Sequence, residues 1–249
     1  MENIIPIRFF VITFFWSWLF WFTSIVIGKR EGLSKFNFPL RLIGSFGPVV
    51  GAILSLYTLN GKDAVNSFLM SFLSLNFGFK VWVSIFFVAG IICVIAWFLP
   101  ELFGEKRLPI NFKKIYLFLP YLLLMTFLGG GQEEIGWRGY ILPFMENNYG
   151  LIIGSLILGI IWAVWHIPLW FIPRANQKYM NFFAFTLQCI GLSFFFSWVV
   201  AASGYRLLSG LIVHGAVNTF LEIFPILAID NNTKQKRFWT YCILYLLQG

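Results

Sequence analysis

Three charged residues interrupt one of the most apolar stretches of this sequence. Glu133, Glu134 and Arg138 lie within GGGQEEIGWRGY, although 59% of the chain is hydrophobic and only 11% is charged. An ionised carboxylate near the centre of a membrane helix costs about 2.5–3.5 kcal/mol, so it is a candidate for function. Glu134 and Arg138 are at i and i+4, which predicts an ion pair on one helix face. Glu133 is turned about 100° away and stays available for chemistry. The pattern also fits three charges in a hydrated loop at a helix end.

The two histidines of the chain both lie in apolar segments. His166 is in IIWAVWHIPLW and His214 is in GLIVHGAVNTF, where Asn218 follows His214 on the same helix face. Polar groups within a membrane must bond to one another or line a water-filled cavity. One shared cavity would accommodate the glutamates, the histidines and the asparagine together.

These residue types are the components of amide-bond hydrolysis. A carboxylate and a neutral imidazole can hold and deprotonate a water. A histidine and an asparagine one helical turn apart can both donate to one oxygen on which negative charge develops. The sequence has no G-x-S-x-G motif and no cysteine beside a histidine, which favours direct attack by water over a covalent intermediate.

The rest of the sequence predicts the elements that hold these residues. A mean hydropathy of +0.80 and long apolar runs are typical of an integral membrane protein. We expect an all-α, polytopic transmembrane helix bundle of seven to eight spans, with residues 1–249 in a single membrane domain. The predicted spans are roughly 4–27, 41–59, 81–100, 116–138, 151–172, 181–202 and 207–228. An eighth apolar segment, 239–248, is short for a span. Residues 64–75 form an amphipathic pattern that fits either a helix at the membrane interface or a connector packed on the bundle.

The net charge of +8 is explained by membrane topology, and we expect no nucleic-acid partner. With the N-terminus outside, the inside connectors hold 13 of the 18 basic residues. These are Lys29, Arg30, Lys35, Arg41, Lys106, Arg107, Lys113, Lys114, Arg174, Lys178, Lys234, Lys236 and Arg237. The positive-inside rule therefore favours an outside N-terminus and places the glutamate-bearing end of the fourth span outside.

Three short motifs together resemble a known family. EEIGWR matches E-E-x-x-x-R, WAVWH resembles F-x-x-x-H with Trp162 in place of phenylalanine, and HGAVN matches H-x-x-x-N. Their order and spacing are similar to those of the CAAX protease and bacteriocin-processing (CPBP, or Abi) family. The resemblance runs from about residue 116 to residue 228, and we interpret this range as the motif-bearing catalytic core.

The resemblance implies an eight-helix intramembrane endopeptidase whose cavity opens to one side. By motif, Glu133 would be the general base and His166 its partner in holding the water. His214 and Asn218 would form the oxyanion hole, while Glu134 and Arg138 would position the site from behind. Trp162 would take over the packing role of the family's phenylalanine. The prenyl-protein-processing members work on the cytosolic face, which conflicts with the charge count, so the side stays open.

We expect no metal or other cofactor. Glu133, His166 and His214 could nevertheless form a two-His, one-Glu zinc site like that of soluble zinc proteases. A bound zinc would leave Asn218 without a role, whereas the oxyanion hole uses both His214 and Asn218.

The sequence thus predicts a multi-pass protein of a prokaryotic cell membrane that cleaves a membrane-associated peptide or protein. Its partners are that substrate and the lipid bilayer. A prenylated C-terminus, a pheromone precursor and a bacteriocin leader remain candidate substrates, and the oligomeric state stays open. Two alternatives are a non-catalytic immunity or scaffold protein of the same fold and a small proton-coupled transporter.

Overall fold

The structure of the chain is a computed structural model that describes residues 6–30, 32–71, 74–110, 112–173, 175–226 and 235–248. The residues in these ranges are 84% helical, and they include no strand. The prediction of an all-α membrane bundle is therefore confirmed. Helices are the expected form for such apolar segments, because the backbone groups of a span must be satisfied within the protein.

The α-helices follow one another along the whole chain. They are α1 (Ile7–Ile27), α2 (Asn37–Ser45), α3 (Gly47–Met70), α4 (Phe79–Phe98), α5 (Phe112–Tyr116), α6 (Phe118–Phe127), α7 (Leu142–Trp165), α8 (Phe182–Ala202), α9 (Leu207–Ile223) and α10 (Gln235–Leu247). Segments Ile7–Ile27, Ser34–Met70, Phe79–Phe103, Ile135–Phe171 and Phe182–Ala202 are each long and apolar enough to cross a membrane. The 17 residues of α9 form a shorter apolar helix.

A stripe of small side chains lets α1 pack closely against the helices that follow it. Thr13 and Ser17 lie on the buried face of α1, and Gly47 and Gly51 of α3 face them. A Cβ atom at either glycine would overlap one of these hydroxyl oxygens. Close approach at small residues is the usual way in which membrane helices pack. The α1–α3 pair forms one wall of the bundle.

The predicted fourth span, 116–138, is wrong as a continuous helix. The α-helix ends at Phe127, and Gly130 has φ +124°, which an α-helix cannot accommodate. The chain then forms a 3₁₀ turn at Gly131–Glu133 and a π-helix at Ile135–Ile141 before α7 begins. Helix α7 itself breaks at Gly150, which has φ +77°. The helical segment therefore continues past residue 138 to the break at Gly150, and the glutamates lie within this segment rather than at its end.

Two other segments also differ from their predicted bounds. The predicted eighth segment, 239–248, is part of α10, which begins at Gln235 and spans about 20 Å at 1.5 Å per residue. Residues 62–70 continue α3 beyond a break at Gly61, and there Phe68 is half-buried against the bundle while Leu69 and Met70 are exposed. Phe72 and Leu73 of the amphipathic pattern lie outside the described residues.

We call the end of the bundle that holds the connectors after α1, α4 and α7, together with the C-terminal end of α9, the basic end. Here Lys114 pairs with Glu222, and Arg237 Nη2 donates to the backbone oxygen of Lys106 at 2.8 Å. At the opposite end Arg8 Nη1 donates to Thr58 Oγ1 at 2.6 Å, and Tyr205 donates to Glu146. Most of the basic residues of the connectors lie at the basic end.

Candidate active site

The backbone between α6 and α7 is shaped by glycines and held by Gln132. The Gln132 side chain accepts from the Gly130 amide at 2.9 Å and donates to Ser45 Oγ of α2 at 3.0 Å. A Cβ atom at Gly131 would overlap the backbone oxygens of Thr126 and Leu211, so only glycine lets this turn lie against α9. The π-helix that follows is of a type often found at functional sites. This segment carries both glutamates into the centre of the bundle.

Glu134 forms the buried ionic centre of the site. Its two oxygens contact Arg138 Nη1 at 2.8 Å and His214 Nδ1 at 2.7 Å, and the Glu134 and Arg138 side chains are fully buried. The predicted i, i+4 pair is thus confirmed, and the alternative of a hydrated loop is wrong. Because a carboxylate only accepts, the short contact to His214 is a hydrogen bond donated by Nδ1. Glu134 therefore fixes the orientation of the His214 ring.

The Arg138 guanidinium is held by charge and by aromatic faces. It lies 5.0 Å from the Trp162 ring centroid and 5.3 Å from that of Phe196, which are cation–π distances. Its contact to Glu134 is close enough for an ion pair, but the N–H groups are not aligned for a hydrogen bond. Among the described residues, its three guanidinium nitrogens have no hydrogen-bond acceptor. Arg138 therefore neutralises Glu134 while its surroundings remain largely apolar.

The Glu133 carboxylate faces the cavity and accepts a hydrogen bond from a neighbouring indole. Glu133 is 6% exposed, and its Oε2 accepts a hydrogen bond from Trp162 Nε1 at 2.9 Å. The described residues supply no donor to its other oxygen. Trp162 packs at the site in the position of the family's phenylalanine, and its indole also donates a hydrogen bond that the sequence analysis did not predict. The carboxylate of Glu133 is oriented by a neutral donor, whereas that of Glu134 is neutralised by a cation.

His166 lies at the end of α7 with a defined tautomer. Its Nδ1 is 2.8 Å from the backbone oxygen of Trp162, one helical turn earlier. A carbonyl oxygen only accepts, so Nδ1 carries the proton and Nε2 of the neutral ring is left with a lone pair. The ring is 7% exposed and packs against Trp21, Trp165 and Phe185. His166 can therefore accept a proton or a hydrogen bond at Nε2.

His214 and Asn218 point at one place beside Gly130. A Cβ atom at Gly130 would lie 2.5 Å from His214 Nε2 and 2.8 Å from Asn218 Nδ2. Asn218 Nδ2 donates one of its hydrogens to the backbone oxygen of Gly129 at 2.7 Å. Its second hydrogen is available for another acceptor. Two nitrogens of α9 thus converge on a point that only a glycine leaves open.

One cavity of about 370 Å³ joins these residues. Glu133, Trp162, His166, His214 and Asn218 all line it, and Glu134 and Arg138 lie behind them. The cavity also reaches residues of the basic end, namely Phe38, Arg41, Asn176, Gln177 and Glu222. Much of the remaining lining is apolar, and it includes Leu42, Met125, Leu128, Leu169 and Phe185. The cavity is therefore polar where the motif residues meet and apolar along its walls.

The structure brings the residues of all three sequence motifs together. Sequence reasoning missed Gln132 and the donor role of Trp162. Two signals in the sequence could have indicated them: the side-chain amide next to the paired glutamates, and the indole where the motif has phenylalanine. Over the described ranges no group of three or more histidine, cysteine, aspartate or glutamate side chains is arranged to hold a metal ion. Glu133, His166 and His214 do not form such a set.

The fold and this site define a multi-pass helical membrane protein with a buried Glu–His–Asn centre. A family model described as Type II CAAX prenyl endopeptidase Rce1-like matches residues 115–220, close to the predicted core of 116–228. The chain is also 23% identical over 240 residues to CAAX prenyl protease 2 of Methanococcus maripaludis, covering 92% of this chain and 87% of that protein. The resemblance found in the motifs is confirmed: the chain is similar to CAAX prenyl endopeptidases, and this similarity supports a protease.

Proposed function

We propose that the protein is an intramembrane endopeptidase that hydrolyses a peptide bond with a water activated by Glu133 and His166. The observation that carries this proposal is the convergence of Glu133, His166, His214 and Asn218 on one cavity, although they come from three separate parts of the chain. A scaffold protein would need no such convergence, and a proton relay would need no paired histidine and asparagine donors.

The water would lie between the carboxylate of Glu133 and Nε2 of His166. The indole donor occupies Oε2 of Glu133, so its other oxygen can accept the proton of the water. His166 has its Nδ1 proton directed to the backbone, so its Nε2 lone pair can accept the second hydrogen of the water. The hydroxide formed in this way attacks the carbonyl carbon, and Glu133 then passes the proton to the leaving amine.

The oxyanion would form beside Gly130, where His214 and Asn218 converge. Asn218 can donate its second amide hydrogen there. His214 donates from Nε2 only as an imidazolium, because its Nδ1 proton is already directed to Glu134. The carboxylate of Glu134 would stabilise this imidazolium, and the net positive charge of Glu134, Arg138 and the imidazolium would be balanced by the oxyanion. This gives the two buried residues behind the cavity a role in the reaction.

The substrate would be a peptide segment that enters from the basic end along the apolar walls. The name of the archaeal relative makes a C-terminal, prenylated peptide the first candidate to test. A pheromone precursor and a bacteriocin leader are the other candidates. We place the protein in a prokaryotic cell membrane, in keeping with that relative.

The test is an assay of the purified protein against tagged peptides of these three kinds. We expect cleavage of at least one peptide, with Glu133→Gln about 100-fold less active or worse, because the amide keeps the shape of the side chain but cannot act as a base. The variant should remain folded, with a melting temperature in detergent close to that of the original chain. A Glu133→Gln protein with near-normal turnover would show that another group activates the water.

Metal removal tests the cofactor-free mechanism separately. We expect activity to persist after a strong chelator has reduced the metal content, measured by mass spectrometry, to far below one ion per protein, since the carboxylate and imidazole can activate water together. Activity that disappears on stripping and returns with one equivalent of zinc would instead make Glu133, His166 and His214 metal ligands.

A further inference from the structure

Trp162 occupies the centre of the site although the motif of the family has phenylalanine there. The side chain is 3% exposed, and its Nε1 donates to Glu133 Oε2 at 2.9 Å. The same ring lies under the Arg138 guanidinium and packs edge-on against His214, with ring centroids 5.5 Å apart. A phenylalanine could make the ring contacts, but it has no donor for the carboxylate.

The indole N–H of Trp162 limits the orientation of the Glu133 carboxylate, and no other described side chain bonds to it. Glu133 lies at the end of a short 3₁₀ turn, and its side chain makes no hydrogen bond to a described residue other than Trp162. Arg138 is occupied by Glu134, and the described residues place no cation on Glu133. A hydrogen bond to an ionised group is stronger than one between neutral groups, so a single indole donor can fix the carboxylate plane.

We propose that Trp162 is a positioning residue for the reaction. Its indole N–H holds Oε2 of Glu133, so that the other carboxylate oxygen faces the water. This inference rests on the proposed function of Glu133 as the base. It also implies that the change from phenylalanine to tryptophan at this position adds a polar contact to the site rather than only replacing a ring.

The experiment compares two Trp→Phe substitutions in the complete, purified protein. Trp162→Phe removes the donor to Glu133 and leaves a ring for Arg138. Trp137→Phe is the matched control, because Trp137 is fully buried and its Nε1 has no hydrogen-bond partner among the described residues. Both substitutions remove the same atoms from a buried site, so Trp137→Phe measures the effect of the smaller ring. Trp162→Phe should lower the melting temperature further, because it also leaves a buried acceptor without its donor.

We expect Trp162→Phe to lower kcat about tenfold with little change in KM, which corresponds to the loss of one hydrogen bond to a charged group. Trp137→Phe should change kcat by less than about threefold. In the Glu133→Gln background, Trp162→Phe should have little further effect, because residues that act through one another are not additive. Equal losses of kcat in the two single variants would show that Trp162 only packs in the site and does not position Glu133.

A spectroscopic measurement tests the contact without relying on activity. In ¹⁵N-labelled protein, the indole N–H resonance that disappears in Trp162→Phe identifies Trp162 among the 11 tryptophans. This resonance should move in Glu133→Gln, because the acceptor changes from a carboxylate to an amide, while the Trp137 resonance stays in place. An unmoved Trp162 resonance would overturn the inference even if Glu133 is the base. A protein that cleaves no peptide but shows the shift would instead count against the proposed function alone.

Discussion

At the scale of single residues, the three charges of the glycine-rich segment have different roles. Glu134 and Arg138 neutralise each other in a fully buried pair, and Glu134 also bonds His214. Glu133 lacks a cationic partner and instead accepts a hydrogen bond from Trp162. One carboxylate is therefore used to orient the site, and its neighbour is left for chemistry. The adjacent placement of the two glutamates achieves this, because successive helical residues point in different directions.

The buried pair leads to a prediction about stability. Arg138→Ala leaves the Glu134 charge buried without its cation, and breaking a buried pair in this way typically costs about 3–5 kcal/mol. We expect a clear fall in melting temperature in detergent together with a loss of activity. The control is Arg107→Ala, which removes a side chain that is 69% exposed from its pair with Glu101 and should cost at most about 1 kcal/mol. If Arg138→Ala abolishes activity at unchanged stability, Arg138 contacts the substrate instead.

The sequence predicted the charged and polar residues of the site better than their connections. The Glu134–Arg138 pair follows from the i, i+4 spacing, and both histidines stand out because charged and polar residues are rare in apolar spans. The contacts from Glu134 to His214 and from Trp162 to Glu133 join residues far apart in sequence. Helical periodicity within one segment cannot predict such contacts, since they depend on how separate helices are rotated and packed.

At the scale of elements, breaks in the helices bring the site together. The fourth span was predicted as one helix because its residues are almost uniformly apolar around the charges. Hydropathy measures whether a segment is buried in lipid and does not report where its helix is interrupted. The left-handed backbone at Gly130 turns the chain, and Gln132 satisfies the polar backbone that the turn exposes. Irregular backbone at membrane depth is tolerated where it is buried in protein or lines a cavity.

Gly130 provides a direct test of this arrangement. Gly130→Ala forces a side chain into a backbone with φ +124° and places a Cβ 2.5 Å from His214 Nε2. We expect activity to fall at least about 100-fold, since the added methyl group fills the place where the oxyanion would form. The measurement is kcat/KM on the best peptide from the cleavage assay, together with the melting temperature.

The matched control for Gly130 is Gly150→Ala. Gly150 has φ +77°, and no described atom lies within 4 Å of the position of its Cβ, so this substitution introduces backbone strain without a clash. It should lower stability by about 1 kcal/mol and leave kcat/KM almost unchanged. Equal activity in Gly130→Ala and Gly150→Ala would show that the space beside Gly130 is not used in the reaction.

At the scale of the whole molecule, the position of the cavity bears on the conflict between the charge count and the side of the active site. The charge count places the glutamates outside if the fourth span ends near residue 138. In the structure the helical segment continues past them to Gly150, and the cavity reaches residues of the basic end such as Arg41 and Gln177. The positive-inside rule predicts that this end faces the cytosol. The orientation predicted from the sequence and a cytosolic cavity are therefore compatible.

The orientation can be measured with single cysteines introduced at opposite ends of the bundle. Lys178 is exposed at the basic end, near the cavity, and Lys62 is exposed at the other end. The native Cys93, Cys189 and Cys242 are buried, which keeps the background labelling low. In intact cells, a membrane-impermeant maleimide should label Lys62→Cys, whereas Lys178→Cys should react only after the cells are opened. The reverse pattern would place the cavity on the outer face. A substrate would then have to reach Glu133 from outside, which would favour a secreted or surface-bound peptide over one attached to the cytosolic leaflet.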